Sequence, residues 1–146
     1  MEKSVILKEK FMTAFGLQEQ DLRTYSPLTL AYIGDAIFEL MVRTVLVERK
    51  NTQAEKLHKA ATKIVKAETQ ALLAEALKED LTEEELAVYK RGRNAKAVTR
   101  AKNATMSEYR RATGFEALMG YLYLKGEMER MIELISLGAE KAEVTL

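Results

Sequence analysis

A glycine stands in the middle of the most apolar helical pattern of the chain, in the segment 26–41. Ser26 is a favoured N-cap, and Pro27 suits the first helical position, where its missing N–H would have no partner. Apolar residues follow at helical spacing: Leu30, Ile33, Ile37, Leu40 and Met41. Because glycine inside a helix costs about 1 kcal/mol relative to alanine, Gly34 indicates that another helix or a ligand approaches the backbone beside Asp35. A tolerated packing glycine beside a surface acid explains this segment equally well.

A second helical pattern, in the segment 107–124, repeats this combination. Ser107 is its candidate N-cap, Glu116 lies among apolar residues, and Gly120 follows inside the helix. Two helices of this kind are predicted to cross closely and to bring Asp35 and Glu116 together. Two adjacent carboxylates repel each other unless a cation lies between them. In a chain with one His and no Cys, a hard divalent cation is the candidate.

Between these two segments the chain is strongly basic. Residues 90–111 carry a net charge of +7 in a chain of net charge +1, so the rest of the chain carries −6. This asymmetry predicts a polyanionic partner, although a solvated basic loop without a partner is the alternative. Residues 93–106 show no helical apolar period, and we expect them to be irregular and mobile until a partner binds.

Three motifs, in this order, resemble those of the ribonuclease III family. Tyr-Ile-Gly-Asp-Ala-Ile at 32–37 is similar to the family signature, and Lys-Arg-Gly-Arg-Asn-Ala-Lys at 90–96 resembles its basic element. Thr-Gly-Phe-Glu-Ala-Leu-Met-Gly at 113–120 is similar to its second acidic helix. The resemblance covers about residues 22–138. Within the family the chain resembles the short subfamily, Mini-ribonuclease III, which lacks a double-stranded-RNA-binding domain.

The resemblance implies a metal-dependent endoribonuclease that cleaves double-stranded RNA and matures the large-subunit (23S) rRNA precursor. It also implies a homodimer in which the signature helices pack at the interface. Asp35 and Glu116 would be the catalytic residues and the Mg²⁺ ligands. The resemblance assigns RNA binding to the residues of the basic element: Lys90, Arg91, Arg93, Asn94 and Lys96.

The chain departs from the fuller family pattern at two acidic positions, which are occupied here by Ala31 and Thr113. Only two members of the usual four-acid site are therefore present, which leaves the number of metal ions open. Thr113 is an accessory candidate that could orient a metal-bound water, and Glu39, one turn beyond Asp35, is another.

Length and composition favour one all-α domain over residues 1–146. The 146 residues, 47% hydrophobic and 31% charged, are typical of a soluble globular domain, and a single Pro with seven Gly favours helices. The absence of Cys excludes disulfides and thiolate metal sites and fits a cytoplasmic location. No signal peptide is visible, and Asp35, Glu39 and Arg43 argue against a membrane span in the apolar segment 27–47.

The remaining helices are predicted at 3–16, at 53–79, from the capping box at Thr82 and Glu85 to Gly92, and at 127–137 ending at Gly138. His58 is interpreted as a surface or packing residue, since one histidine cannot form a multi-histidine metal site.

Two other functions remain as alternatives to the nuclease. The first is a catalytically inactive, dimeric helical RNA-binding protein that kept the fold and lost activity with its missing acids. The second is a helical protein–protein module whose glycines and acids serve packing and helix capping.

Overall fold

The computed structural model describes residues 3–96 and 105–146, and their regular structure is entirely helical. The α-helices are α1 (Lys3–Ala14), α2 (Pro27–Arg49), α3 (Ala54–Val65), α4 (Ala67–Leu77), α5 (Glu83–Asn94), α6 (Met106–Lys125) and α7 (Met128–Ala142). Two short 3-10 helices, Leu22–Thr24 and Lys78–Asp80, lie between them. The prediction of an all-α fold is confirmed. No helix within the described ranges is long and apolar enough to cross a membrane.

Helix α6 lies at the centre and packs against α2, α4, α5 and α7. Its completely buried side chains include Phe115, Leu118 and Met119. Phe38 of α2 meets Phe115 edge-on, with 5.1 Å between the ring centroids. A central helix whose faces are covered by its neighbours explains why this segment is so apolar around Glu116.

Helices α2 and α6 cross at backbone contact distance, and glycine is required on both sides of the crossing. A Cβ on Gly34 would lie 1.7 Å from the carbonyl oxygen of Glu116, and one on Gly120 would lie 1.9 Å from that of Leu30. Real Cβ atoms do not approach backbone atoms so closely. The predicted close crossing is therefore confirmed, and the approaching element is α6 of the same chain.

The predicted start of α2 and the predicted capping box of α5 are also confirmed. The Ser26 hydroxyl accepts the backbone N–H of Thr29 at 3.1 Å, with Pro27 in the first helical turn. Thr82 and Glu85 exchange the two hydrogen bonds of the box at 3.1 and 2.9 Å. Both helices thus begin where local capping chemistry directs them to begin.

The prediction of one helix over 53–79 was wrong, because the helix is interrupted at Lys66 and two helices, α3 and α4, form instead. Lys66 is extended, and the last carbonyls of α3 accept hydrogen bonds from side chains of α4. The Thr69 hydroxyl donates to the carbonyl of Lys63 at 2.6 Å, and the Gln70 amide donates to that of Val65 at 2.7 Å. These side chains replace the backbone bonds that a continuous helix would have made.

Three other predicted boundaries were also wrong. Helix α5 continues past Gly92 to Asn94, and α7 continues past Gly138 to Ala142, because both glycines pack against neighbouring helices and do not end their own. Helix α6 is capped by Thr105 in a capping box with Glu108, and Ser107 lies inside its first turn. The predicted irregular loop 93–106 falls mostly outside the described residues.

The α2–α6 crossing predicts that Gly34→Ala strongly destabilises the protein. The added methyl group would force the helices apart, and we expect the free energy of unfolding to fall by about 3 kcal/mol or more. Urea denaturation followed by circular dichroism would measure this.

Gly138→Ala is the matched control, since its Cβ would meet the flexible Leu77 side chain at 3.1 Å and the carbonyl oxygen of Leu73 at an ordinary contact distance of 3.5 Å. That variant should stay within about 1 kcal/mol of wild type, because better helix propensity offsets the tight contact. Equal effects of the two substitutions would contradict a special role for the α2–α6 crossing.

Candidate active site

The crossing of α2 and α6 places the carboxyl groups of Asp35 and Glu116 next to each other. The pKa of Glu116 is raised to about 8, first by burial and then by the charge of Asp35 and a hydrogen bond between the two carboxyls, while a hydrogen bond from Gln70 opposes the rise. Asp35 itself is exposed. The site is thus a pair of acids, one exposed and one largely buried, and no cationic side chain of the described residues contributes to the pKa shift of Glu116.

Gln70 of α4 is a site residue that the sequence analysis missed. Its side chain is almost completely buried, and its Nε2 lies 3.1 Å from Oε2 of Glu116. A sequence signal did exist, because Gln70 occupies the first position of the buried stripe that continues through Leu73, Ala74 and Leu77. A polar residue within an apolar helical stripe indicates a buried hydrogen-bond partner.

The two accessory candidates lie near the acids but are already engaged. Thr113, one turn before Glu116 on α6, is buried and donates its hydroxyl hydrogen to the carbonyl of Tyr109 at 3.0 Å. Its lone pairs remain as acceptors. Glu39 is half-buried and forms an ion pair with Arg43 on the same helix. An accessory role for either residue stays a prediction.

The basic element forms the C-terminal end of α5 and the residues just after it. Lys90, Arg91, Asn94 and Lys96 are exposed. Arg93 is half-buried, with its guanidinium carbon 5.8 Å from the ring centroid of Tyr89 and its Nε donating to Asn94 at 3.3 Å. These side chains therefore present their charges to solvent at one end of the helix.

A cleft of about 520 Å³ lies beside this helix end, between α4, α5 and α6. Its basic lining residues are Lys78, Arg93, Arg110 and Arg111. Glu75 is the acid in its lining and pairs with Arg111 at 3.4 Å. An open cleft of net positive charge is thus lined in part by three cations of the basic segment, Arg93, Arg110 and Arg111, whereas Arg100 and Lys102 lie outside the described residues.

The glycine of the basic element fixes α5 against the acidic helix. A Cβ on Gly92 would lie 2.8 Å from Cβ of Ala117 and 2.9 Å from Cα of Gly114, the residues flanking Phe115 and Glu116. The basic end of α5 is thereby packed against the turn of α6 that carries Glu116.

The two carboxylates form a sparse but suitable donor set for a hard cation. Among residues 3–96 and 105–146 no group of three or more His, Cys, Asp or Glu residues is placed to hold a metal. Mg²⁺, however, keeps several waters and is commonly held by one or two carboxylates together with substrate phosphates. A cation would also offset the burial and the repulsion from Asp35, which together raise the pKa of Glu116.

A model of the ribonuclease III domain matches residues 28–127, which contain both acids and the basic element. The chain belongs to the ribonuclease III family. Two relatives named Mini-ribonuclease 3 confirm the predicted subfamily. The one from Clostridium tetani is 46% identical over 129 residues, covering 88% of this chain and 85% of the relative. The one from Enterococcus faecalis is 51% identical over 119 residues, covering 80% of this chain and 90% of the relative.

A crystal structure of a Fusobacterium nucleatum protein has the same fold as this ribonuclease III chain. It superposes with a TM-score of 0.75 at 34% sequence identity, covering 84% of this chain and 98% of the other. Family membership makes the chain an endoribonuclease, of a family that acts on double-stranded RNA.

The buried Glu116 predicts that, in EDTA, the protein becomes less stable as the pH rises. The usual pKa of 4.5 applies to the unfolded chain and a value of about 8 to the folded one, so the folded state retains a proton that the unfolded state has lost. This stabilising contribution is complete below pH 4.5 and is lost as the pH rises to about 8. We expect the free energy of unfolding to fall by about 2–4 kcal/mol over that range.

Urea unfolding at a series of pH values would measure this dependence. Glu116→Gln should give a flatter curve, because the group that titrates has been removed. An equally steep curve in the variant would assign the pH dependence to other groups.

Proposed function

We propose that this chain is a Mg²⁺-dependent endoribonuclease in which Asp35 and Glu116 hold the metal and the basic end of α5 holds the RNA backbone. The observation that carries the proposal is the pairing of the two family acids across the α2–α6 crossing. Placing the largely buried Glu116 carboxylate next to Asp35 destabilises the metal-free protein, because burial and like charge both disfavour ionisation. Such a pair is explained if it binds a cation.

Each residue has a defined part in this reaction. Bound Mg²⁺ supplies Lewis-acid stabilisation of the scissile phosphate and a more acidic water. Asp35, being exposed, faces the solvent side from which a duplex approaches, and Glu116 anchors the site from the interior. Packing of α6 against α2 holds the two carboxylates in place before substrate arrives, which lowers the cost of organising the site during the reaction.

The basic element would contact phosphates and not bases. Lys90, Arg91, Arg93, Asn94 and Lys96 are long or polar side chains at one exposed helix end, suited to backbone contacts. The deep, narrow major groove of A-form RNA excludes side chains, so recognition is by shape and by 2′-hydroxyl and phosphate contacts. Binding that depends on such phosphate contacts falls steeply with salt.

We also propose that the protein works as a homodimer formed through α2. One side of this helix exposes large apolar side chains at successive intervals of four, eight and seven residues: Leu28, Tyr32, Leu40 and Val47, which are 39%, 81%, 53% and 52% exposed. Exposed apolar side chains grouped on one side of a helix are typical of an interaction surface, and here the Glu39–Arg43 ion pair lies among them. These residues lie on the same helix as Asp35, so a dimer would place two sites near each other for cleavage of both strands.

For the substrate we propose a structured stem of the large-subunit (23S) rRNA precursor, cleaved in the cytoplasm. The support is the similarity to relatives named Mini-ribonuclease 3 over 80–88% of the chain.

Asp35→Asn tests the proposed activity directly. The substitution removes a proposed metal-binding charge from an exposed position, so the fold should be retained. Loss of a residue that only hydrogen-bonds a metal ligand lowers activity roughly 10–100-fold, and loss of the ligand Asp35 should lower the cleavage rate by more than that. Gel assays on a long duplex RNA with Mg²⁺, together with circular dichroism, would measure both effects.

Asp21→Asn is the control, since Asp21 is an exposed aspartate that caps a 3-10 helix. It should cleave like wild type. Cleavage by Asp35→Asn at a wild-type rate would remove Asp35 from the site. Duplex binding by the wild-type protein without any cleavage would favour the inactive RNA-binding alternative.

The double substitution of Arg91 and Arg93 by alanine tests the RNA surface. It should weaken duplex binding and reduce the slope of log affinity against log salt by about 1 for each phosphate that the variant no longer neutralises. The control replaces Lys56 and Lys63, exposed on α3, with the same change in net charge. Slowing of the chemical step with unchanged binding would instead place the arginines in catalysis.

Leu40→Asp tests the dimer, because a charge among the exposed apolar residues of α2 would be buried in the proposed interface and should shift the protein to monomers. Analytical ultracentrifugation would measure the change. Leu72→Asp on α4 makes the same change at a leucine of matching exposure, 52% against 53%, and should leave the assembly unchanged. A monomeric wild-type protein, or equal effects of the two variants, would contradict an interface on α2.

A further inference from the structure

We infer that Gln70 is a positioning residue for the metal site, orienting the Glu116 carboxylate through its amide N–H. The inference rests on the proposed metal-dependent function and adds a residue of α4 to a site built on α2 and α6.

The contacts of Gln70 determine which way its amide points. Nε2 donates to the backbone carbonyl of Val65 at 2.7 Å and to Oε2 of Glu116 at 3.1 Å. Both N–H groups are thus used on acceptors. A flipped amide would place its carbonyl oxygen against two other oxygens, so the hydrogen bonds assign the orientation.

This orientation leaves Oε1 buried and without a hydrogen-bond partner. Buried acceptors without a donor are uncommon in folded proteins. Gln70 is only 2% exposed, which excludes direct contact with a duplex. The amide therefore acts through the two acceptors to which its nitrogen donates, Val65 and Glu116.

A purely structural role for Gln70 is the competing explanation, since its bond to Val65 also closes the α3–α4 junction. Thr69 separates the two explanations. It is also buried and closes the same junction by donating to the carbonyl of Lys63 at 2.6 Å. The Thr69 side chain makes no hydrogen bond to Asp35 or Glu116 among the described residues.

The experiment compares Gln70→Met, which keeps the volume without donors or an acceptor, with Thr69→Val. Mn²⁺ binding to the RNA-free protein, followed by electron paramagnetic resonance with Mg²⁺ as competitor, is the first measurement. The second is kcat and KM on a duplex RNA, and the third is thermal stability. For Gln70→Met we expect a roughly 10–100-fold loss of Mn²⁺ affinity and a comparable fall in kcat at fixed Mg²⁺, with KM for RNA unchanged. Thr69→Val should lose stability but keep wild-type metal affinity and kcat.

Wild-type metal affinity and kcat in Gln70→Met would overturn the inference, as would equal losses in the two variants. Failure of the proposed function gives a different result, because wild-type protein would then neither bind Mn²⁺ at a site abolished by Glu116→Gln nor cleave RNA.

Should Gln70→Met not fold, the wild-type protein supplies the test by ¹⁵N NMR. The assigned side-chain amide resonances of Gln70 should shift when Mg²⁺ is added and should not shift in Asp35→Asn. Resonances that stay unmoved in a wild-type protein that binds Mg²⁺ would overturn the inference.

Discussion

The site depends on how closely α2 and α6 can approach each other. With glycine on both helices, at Gly34 and Gly120, the backbones touch, and the carboxyl group one residue after Gly34 meets the one four residues before Gly120. A wider crossing would separate the two acids and expose them to water, and the pKa of Glu116 is raised because the acids are adjacent and Glu116 is largely buried. The packing of the core and the geometry of the candidate site therefore follow from the same contact, which explains why the central helix of the core also carries the acid whose pKa is raised to about 8.

Sequence reasoning succeeded where the cause was local. The caps at Ser26 and Thr82 and the helical apolar periods are properties of a few consecutive residues, and they placed the start of α2 and the capping box of α5 correctly. The crossing was also predictable, because an interior glycine beside an acid occurs in two separate helices. Neither inference required knowledge of which distant residues meet in the fold.

Sequence reasoning failed where the cause was tertiary. The helix is interrupted at Lys66, where the sequence contains no glycine or proline. The interruption is stabilised by buried side chains of α4, which donate hydrogen bonds to the last carbonyls of α3. Gly92 resembles a helix end in the sequence because its packing partner, Gly114, is distant along the chain. Gln70 was missed for the same reason, because only the fold shows that its neighbour is Glu116. In each case the neighbouring residues in the sequence are unremarkable, and the contact that determines the structure is made with a residue of another helix.

The contact between Gly92 and Gly114 has a consequence for the proposed cleavage of a duplex. A Cβ on Gly92 would meet Gly114 and Ala117, so the end of α5 lies directly against the turn of α6 that carries Glu116. If the arginines hold a phosphate and the two carboxylates hold the metal, as we propose, the packing of these two helices sets the distance between the bound phosphate and the cleaved bond. The cut would then fall at a constant offset from that phosphate.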